Sequence, residues 1–303
     1  GGSWYPRGGG QVYSAHLADV VRTHDGRIVS NAFVDTILIE AGRVAGVRLT
    51  DGQEFRAPVI VSNADIKHTM LDMVGPEHLK RRTVRRTQRY QMAAPFFNAY
   101  LGLNIDLGES NPNRDHFTFP TWKTIDELAI ELSDPNLTPQ QWLDKMRESC
   151  PGYIHCSNLK DPSGTRYAPP GHSSVEVMFP VPINYSLWGV DDERIRGTSY
   201  RRGEHYQHMK EQLTDIMIAR AEESIPGFAN SVVYREAATP ITQERYTRST
   251  EGSAYGIQLN FRQIGPLRPG PKTEIPGLFL AGSSTPCAQP ASSSPSAGPP
   301  STR

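Results

Sequence analysis

The sequence predicts an α/β protein, and three features of its first third indicate this class. A β-rich run beginning at Val34 passes through a turn at 40–43 into a return strand over 44–49. Residues 59–61 form a short, wholly apolar segment, which is typical of a strand buried on both faces in a layered protein. Small polar residues at 62–65 end that strand where a helical pattern begins, a common place for a nucleotide to bind.

The other elements follow from residue periodicity. Helical spacing predicts a helix over 11–24 and, most clearly, one over 205–224, whose apolar stripe indicates core packing. Strands are predicted over 93–103, 153–159, 174–181, 231–236 and 278–281. Segment 93–103 is apolar and aromatic, so it fits either the core or the lining of a hydrophobic tunnel.

Composition excludes several function classes. The chain has 32 basic and 32 acidic residues, so its overall charge gives no case for a nucleic-acid partner. Cys150, Cys156 and Cys287 are odd in number and have no metal-ligand spacing, which predicts neither a disulfide framework nor a metal site. No apolar run is long enough to cross a membrane, and no signal peptide is apparent. We therefore expect a cytoplasmic chain that meets a membrane only at its surface.

Four motifs carry a more specific signal. Tyr5-Pro6-Arg7-Gly8-Gly9 opens the chain, and a segment ending in Ser62-Asn63-Ala64-Asp65 follows. Residues 265–269 read GPLRP, and residues 275–285 read IPGLFLAGSST. In this order the motifs resemble those of the flavoproteins with two dinucleotide-binding folds, in particular the phytoene desaturase, carotenoid isomerase and retinol saturase family. The resemblance covers about residues 1–285 and implies an FAD-dependent oxidoreductase that acts on carbon–carbon bonds of a hydrophobic polyene.

The resemblance also implies which residues bind the cofactor. The backbone of Val34 would face the adenine of FAD. The turn at 282–284, after the last strand, would lie against the pyrophosphate and ribityl chain of FAD. The residues are Val34, Asn63, Ala64, Asp65, Gly282, Ser283 and Ser284. From the residues alone, a core strand explains Val34 and a helix N-cap explains 62–65 equally well.

Substrate contacts are implied at three further positions, Tyr5, Tyr255 and Gly256. The segment 252–256 would lie close to the isoalloxazine or the tunnel mouth, although a plain turn explains its glycines too. The glycine loop at 8–10 either approaches the flavin or merely turns the chain. No catalytic residue can be assigned from spacing, and His155 and His172 read as structural or surface residues.

A basic cluster occupies the predicted helix at 80–89. It could attract an anionic membrane surface, where a polyene substrate would partition. A solvated helix face is the favoured interpretation, because apolar residues are sparse nearby in the sequence.

The predicted organisation has four parts. Residues 1–75 are the central part of an FAD-binding domain, 76–240 a substrate-binding domain, 241–285 a return to the FAD domain, and 286–303 a disordered tail. No G-x-G-x-x-G motif follows a strand, so the N-terminal Rossmann βαβ unit is missing. The abrupt Pro/Ser-rich end suggests a shifted reading frame, and we expect the chain to be a truncated piece of a longer gene. Two alternatives are a flavin amine oxidase-like enzyme and an inactive fragment with only a binding role.

Overall fold

The computed structural model describes residues 4–110, 115–123, 125–182, 184–190, 197 and 199–286, and it divides the chain into two compact units. The first unit comprises Gly1–Tyr5, His16–Ala93 and Tyr255–Arg303, and the second comprises Pro6–Ala15 and Ala94–Ala254. These divisions lie later in the chain than the boundaries predicted at 75 and 240. The tail predicted to be disordered falls, after Pro286, outside the described residues.

The helices are α1 (Gln11–Thr23), α2 (Arg81–Gln88), α3 (Leu107–Ser110), α4 (Ile125–Leu132), α5 (Pro139–Ser149), α6 (Ser157–Lys160), α7 (Glu204–Ser224), α8 (Phe228–Ser231) and α9 (Pro240–Thr247). The strands are β1 (Val34–Glu40), β2 (Arg43–Leu49), β3 (Glu54–Arg56), β4 (Ile60–Ser62), β5 (Phe96–Leu103), β6 (His116–Thr118), β7 (Gly152–Cys156), β8 (Ser173–Pro180), β9 (Val232–Ala238) and β10 (Leu278–Leu280). A π-helix spans His68–Val74, and short 3₁₀ helices span Pro76–His78, Tyr185–Trp188, Ser199–Arg202, Thr250–Gly252 and Gly265–Leu267.

The first unit contains two small sheets. Strands β1, β2 and β3 form an antiparallel sheet, which confirms the predicted hairpins. Strands β4 and β10 pair in parallel, with Ser62 opposite Leu280. Two apolar clusters pack around these sheets, one including Ile37, Val44 and Leu278 and the other including Met70, Tyr90 and Ile257. The first unit therefore joins segments that are distant in the sequence.

The prediction that residues 59–61 are buried on both faces is wrong. Val61 is 63% exposed and Val59 is also exposed, whereas Ser62 is buried. Within the described residues, β4 has only β10 as a neighbour. No further layer of the described chain therefore covers the face that carries these two valines.

The second unit is built on a five-stranded antiparallel sheet in the order β6-β7-β8-β5-β9. Alternate residues of β5, from Phe97 to Leu103, are almost wholly buried in one large core. This face of the segment predicted as core or tunnel lining is therefore core. The stripe of α7 that includes Met209 and Leu213 packs in the same core, as its periodicity indicates.

Among the described residues, no helix combines the length and the apolar character that crossing a bilayer requires.

Candidate cofactor-binding turn

The parallel pairing of β4 and β10 brings two predicted cofactor segments together. The backbone N–H of Ala281 donates to the carbonyl oxygen of Ser62 at 2.8 Å, just where both strands end. Asn63 and Ala64 follow β4, and the turn at 282–284 follows β10. Because parallel strands end at the same edge of a sheet, the small residues after both strands lie side by side.

Gly282 is in close contact with Asn63. Its φ is +90°, a conformation that L-residues with a side chain rarely adopt. A Cβ atom added there would overlap with the Oδ1 atom of Asn63. The backbone conformation therefore favours glycine at this position, and any larger residue would also displace the Asn63 side chain.

Gly256, predicted to contact substrate, packs against the same turn. Its φ is +66°, and an added Cβ would overlap with the hydroxyl of Ser284 and lie 2.8 Å from that of Ser283. The backbone N–H of Ile257 also donates to Oγ of Ser284 at 3.4 Å. Tyr255, the neighbouring predicted substrate residue, is exposed.

Asp65 acts as a helix cap. Its Oδ1 atom accepts hydrogen bonds from the backbone N–H groups of Lys67 at 2.8 Å and His68 at 3.2 Å. These bonds satisfy N–H groups that lack partners at the start of a helix. The structure thus gives Asp65 the capping role considered for it, and its contact with a cofactor stays a prediction.

The remaining predicted residues are not in this group. Val34 opens β1 and pairs with Leu49 in the three-stranded sheet. Tyr5 is partly buried and belongs to the first unit. Their roles beside a cofactor or substrate stay predictions.

Arg268 holds the turn in place, a role that the sequence did not suggest. It is only 8% exposed. One of its terminal nitrogens donates to the carbonyl oxygens of Ile257 at 2.8 Å and Ser283 at 2.6 Å, and the other donates to that of Gln263 at 3.4 Å. Burial lowers the pKa of the Arg268 guanidinium, but an arginine in a protein stays charged. Its position inside the GPLRP motif was the available signal.

The turn also presents backbone donors. Within the described part of the chain, the N–H groups of Asn63, Gly282 and Ser283 have no protein acceptor. Asn63 and Ser283 are exposed, so these donors can reach a ligand from outside the protein. Neighbouring N–H groups without protein acceptors suit an anionic oxygen, such as one of a pyrophosphate. The residues present therefore fit part of a dinucleotide.

In the second unit, Asp161 fixes the glycine loop. The N–H of Gly8 donates to its Oδ2 atom at 2.7 Å, and the hydroxyl of Ser163 donates to its Oδ1 atom at 2.7 Å. These two hydrogen bonds stabilise the charged carboxylate, the bond from the Ser163 hydroxyl more than the bond from the Gly8 N–H. They hold the pKa of the Asp161 carboxyl below its usual range. The loop conformation thus depends on a carboxylate far along the chain.

His155 and His172 both make polar contacts with other residues of the second unit. Nδ1 of His155 lies 2.9 Å from Oδ1 of Asp115. The same carboxylate accepts a hydrogen bond from the Tyr153 hydroxyl at 2.9 Å and forms an ion pair with Nζ of Lys160 at 3.1 Å. His172 contacts the carbonyl oxygen of a nearby proline at 3.0 Å. His155 therefore has an acidic partner that spacing did not reveal, and neither histidine lies in the cofactor-binding turn.

Comparisons with known proteins support the resemblance inferred from the motifs. No protein-family model matches the chain. It is 25% identical over 288 residues to a zeta-carotene-forming phytoene desaturase from Myxococcus xanthus, covering 94% of this chain and 49% of that protein. It is 27% identical to the chloroplastic prolycopene isomerase of Arabidopsis thaliana, covering 94% and 42%. It is also 23% identical to the all-trans-retinol 13,14-reductase of Danio rerio, covering 84% and 41%. The chain thus spans about half the length of these curated relatives or less.

A solved structure supports the fold. The crystal structure of an oxidoreductase from Methanosarcina mazei matches with a TM-score of 0.53 at 16% identity, covering 92% of this chain and 50% of that protein. At this level of identity the likeness concerns the fold alone. The predicted α/β fold class is thereby confirmed.

Proposed function

We propose that the chain is part of an FAD-dependent oxidoreductase acting on carbon–carbon bonds of a hydrophobic polyene of carotenoid or retinoid type. Its similarity to a phytoene desaturase, a prolycopene isomerase and a retinol reductase supports this proposal. The family implies the cofactor and the substrate class. The observation that supports the proposal best is the convergence of Asn63, Gly256 and the 282–284 turn at one edge of the parallel strands.

In this proposal the turn residues bind and orient the cofactor. FAD would supply the redox chemistry. The N–H groups of Asn63, Gly282 and Ser283 would donate to its anionic oxygens, and the small side chains would let the backbone approach closely. Arg268 would keep Ser283 in position through its carbonyl oxygen.

The polyene side of the site would be formed in part by Tyr255 and Gly256, with Tyr5 as a further contact. Tyr255 is 61% exposed, so a ligand can contact part of its side chain from outside the protein. A polyene carries no ionisable group, so orientation by apolar contact and exclusion of water would be the main tasks of these residues. We further propose that the protein meets this substrate at a membrane surface.

The test uses the longest open reading frame that contains this chain. The protein is expressed in bacteria that accumulate phytoene, zeta-carotene or prolycopene, and the pigments are separated by chromatography. We expect purified protein with the visible absorbance of bound flavin and conversion of at least one polyene. Flavin-loaded protein that converts none of these polyenes but oxidises a primary amine would refute the proposal in favour of an amine oxidase.

A variant connects this assay to the turn. Gly256→Val places a side chain against Ser283 and Ser284, so we expect it to reduce flavin content at least tenfold. Gly52→Ala is the matched control, because Gly52 also has a positive φ, +88°, but an added Cβ there meets no atom within 4 Å. Equal flavin content in the two variants would show that the turn does not bind the cofactor.

A further inference from the structure

A cavity lined by arginines lies beside α2 in the first unit. We call it the arginine cavity; its volume is about 850 Å³, within the range of ligand sites. Six arginines contribute to its wall, and no acidic residue does. The lining residues are Arg81, Arg82, Arg85, Arg86, Arg89, Tyr90, Gln91, Arg262 and Gln263.

The six arginines of this cavity have no carboxylate partner among the described residues. The two contributing segments lie in stretches without Asp or Glu, residues 78–105 and 252–273. Arg81 and Arg85 of α2 and Arg89, the residue at its C-cap, repeat at a spacing of four residues. Like charges therefore face each other along this segment, which disfavours the helix. An arrangement that destabilises the free protein points to an anionic ligand.

The cavity has a firm base. Tyr90 is buried, and the guanidinium of Arg86 lies 5.8 Å from the centre of its ring. Arg86 also donates to the carbonyl oxygen of Leu267. The Gln263 side chain accepts from the N–H of Gln91 at 2.8 Å and donates to the carbonyl oxygen of Gln91 at 3.0 Å. These bonds join α2 to the segment 259–267.

That segment carries exposed apolar side chains next to the cavity. Phe261, which precedes Arg262, is 97% exposed. Leu259, Ile264 and Leu267 are each at least half exposed. The sequence favoured a solvated helix face because apolar residues were sparse near 80–89. The arginines of that face are exposed, as predicted, and apolar residues are supplied by a segment far along the chain. A basic surface beside protruding apolar side chains is typical of proteins that lie on a bilayer.

We propose that the arginine cavity and the apolar side chains of 259–267 form a docking site for the surface of an anionic phospholipid membrane. The arginines bind headgroup phosphates, since guanidinium groups bind phosphate oxygens in pairs. Phe261 and its neighbours enter the interface between headgroups and acyl chains. The docking site would bring the protein to its substrate, and this purpose rests on the proposed function, in which the substrate is a polyene that dissolves in lipid. The class of lipid and the residues that bind it go beyond that proposed function.

The test is cosedimentation of the full chain with vesicles, without flavin or polyene, so its outcome does not depend on the proposed enzymatic activity. We expect binding to phosphatidylcholine vesicles that contain phosphatidylglycerol, weak binding to pure phosphatidylcholine, and loss of binding at high salt. The triple variant Arg81→Gln/Arg85→Gln/Arg89→Gln should weaken binding about a hundredfold, because each arginine near an anionic surface contributes about fivefold. Phe261→Ser should weaken it about tenfold, the lower end of what burial of a phenylalanine provides.

The matched control is Arg22→Gln/Arg27→Gln/Arg43→Gln, which removes the same charge from exposed positions of the same unit. It should weaken binding by less than a factor of three. Equal losses in the two triple variants would overturn the proposal, because binding would then follow net charge alone. Absence of binding to anionic vesicles would overturn it too. Thermal stabilisation by inorganic pyrophosphate in that case would assign the cavity to a soluble phosphate ligand instead.

Discussion

Replacement of Arg268 by methionine tests whether this buried cation organises the cofactor-binding turn. Methionine keeps much of the volume but cannot donate to the carbonyl oxygens of Ile257 and Ser283. Hydrogen bonds from charged groups contribute about 1.5–3 kcal/mol each, so the two short bonds amount to about 3–6 kcal/mol. Burial of the guanidinium without a carboxylate partner offsets part of this gain, as its lowered pKa indicates. We expect a net local loss of about 2–4 kcal/mol.

Hydrogen–deuterium exchange of the Ala281 amide measures this loss, because that N–H bonds to Ser62 across the parallel pair. A loss of about 2–4 kcal/mol accelerates exchange by about 30-fold to several hundredfold. Tryptophan fluorescence serves as a check on the second unit, since the buried Trp142 and Trp188 both lie there.

Two further variants sharpen the result. Arg43→Met removes an exposed arginine whose side chain makes no polar contact within the described residues, so exchange at Ala281 should not change. Arg268→Lys should recover only part of the protection. The ammonium group can still donate hydrogen bonds, but it is compact and cannot reach all the acceptors that the guanidinium spans. Unchanged exchange at Ala281 in Arg268→Met would refute the role assigned to the arginine.

Two other predictions concern the two units separately. Gly277→Ala should destabilise the first unit by about 1–3 kcal/mol more than Gly52→Ala in urea unfolding, because both positions have φ near +88° but a Cβ at Gly277 would lie 2.6 Å from a backbone carbonyl oxygen; equal effects would contradict this explanation. For Asp115, burial raises the pKa, but hydrogen bonds from His155 and Tyr153 outweigh it and hold the pKa below its usual range. The stabilisation is therefore full above the unfolded pKa of about 3.9 and is lost as pH falls through the lower folded value, so Asp115→Asn should make unfolding of the second unit less sensitive to pH between about 5 and 2; an unaltered pH profile would argue against it.

Local patterns predicted the local structure well. The hairpins from Val34 to Arg56 depend on turn residues and alternating side chains, both of which are visible in a short window of sequence. The long helix α7 depends on a repeated apolar spacing over many turns. In both cases the physical cause lies within the segment itself.

Features that depend on distant segments could not be predicted in this way. The exposure of Val61 follows from the lack, among the described residues, of an element that packs on that face of β4, which the residues of β4 do not determine. The hydrogen bonds of Arg268 need the carbonyl oxygen of Ser283, whose position is set by the pairing of β10 with β4. Likewise, the arginines of the basic helix are exposed as predicted, but the apolar side chains near them come from 259–267, which the local sequence around 80–89 could not reveal.

The discontinuity of the first unit has a consequence for folding on the ribosome. Strand β4 is synthesised early, but its partner β10 emerges only after the whole second unit. Closing so large a loop is slow and entropically unfavourable for an unfolded chain. The second unit, whose first and last strands pair with Asn98 opposite Ala238, can fold beforehand and shorten that loop. Until then β4 is an unpaired strand with exposed valines, and the nascent chain is open to aggregation or chaperone binding at this segment.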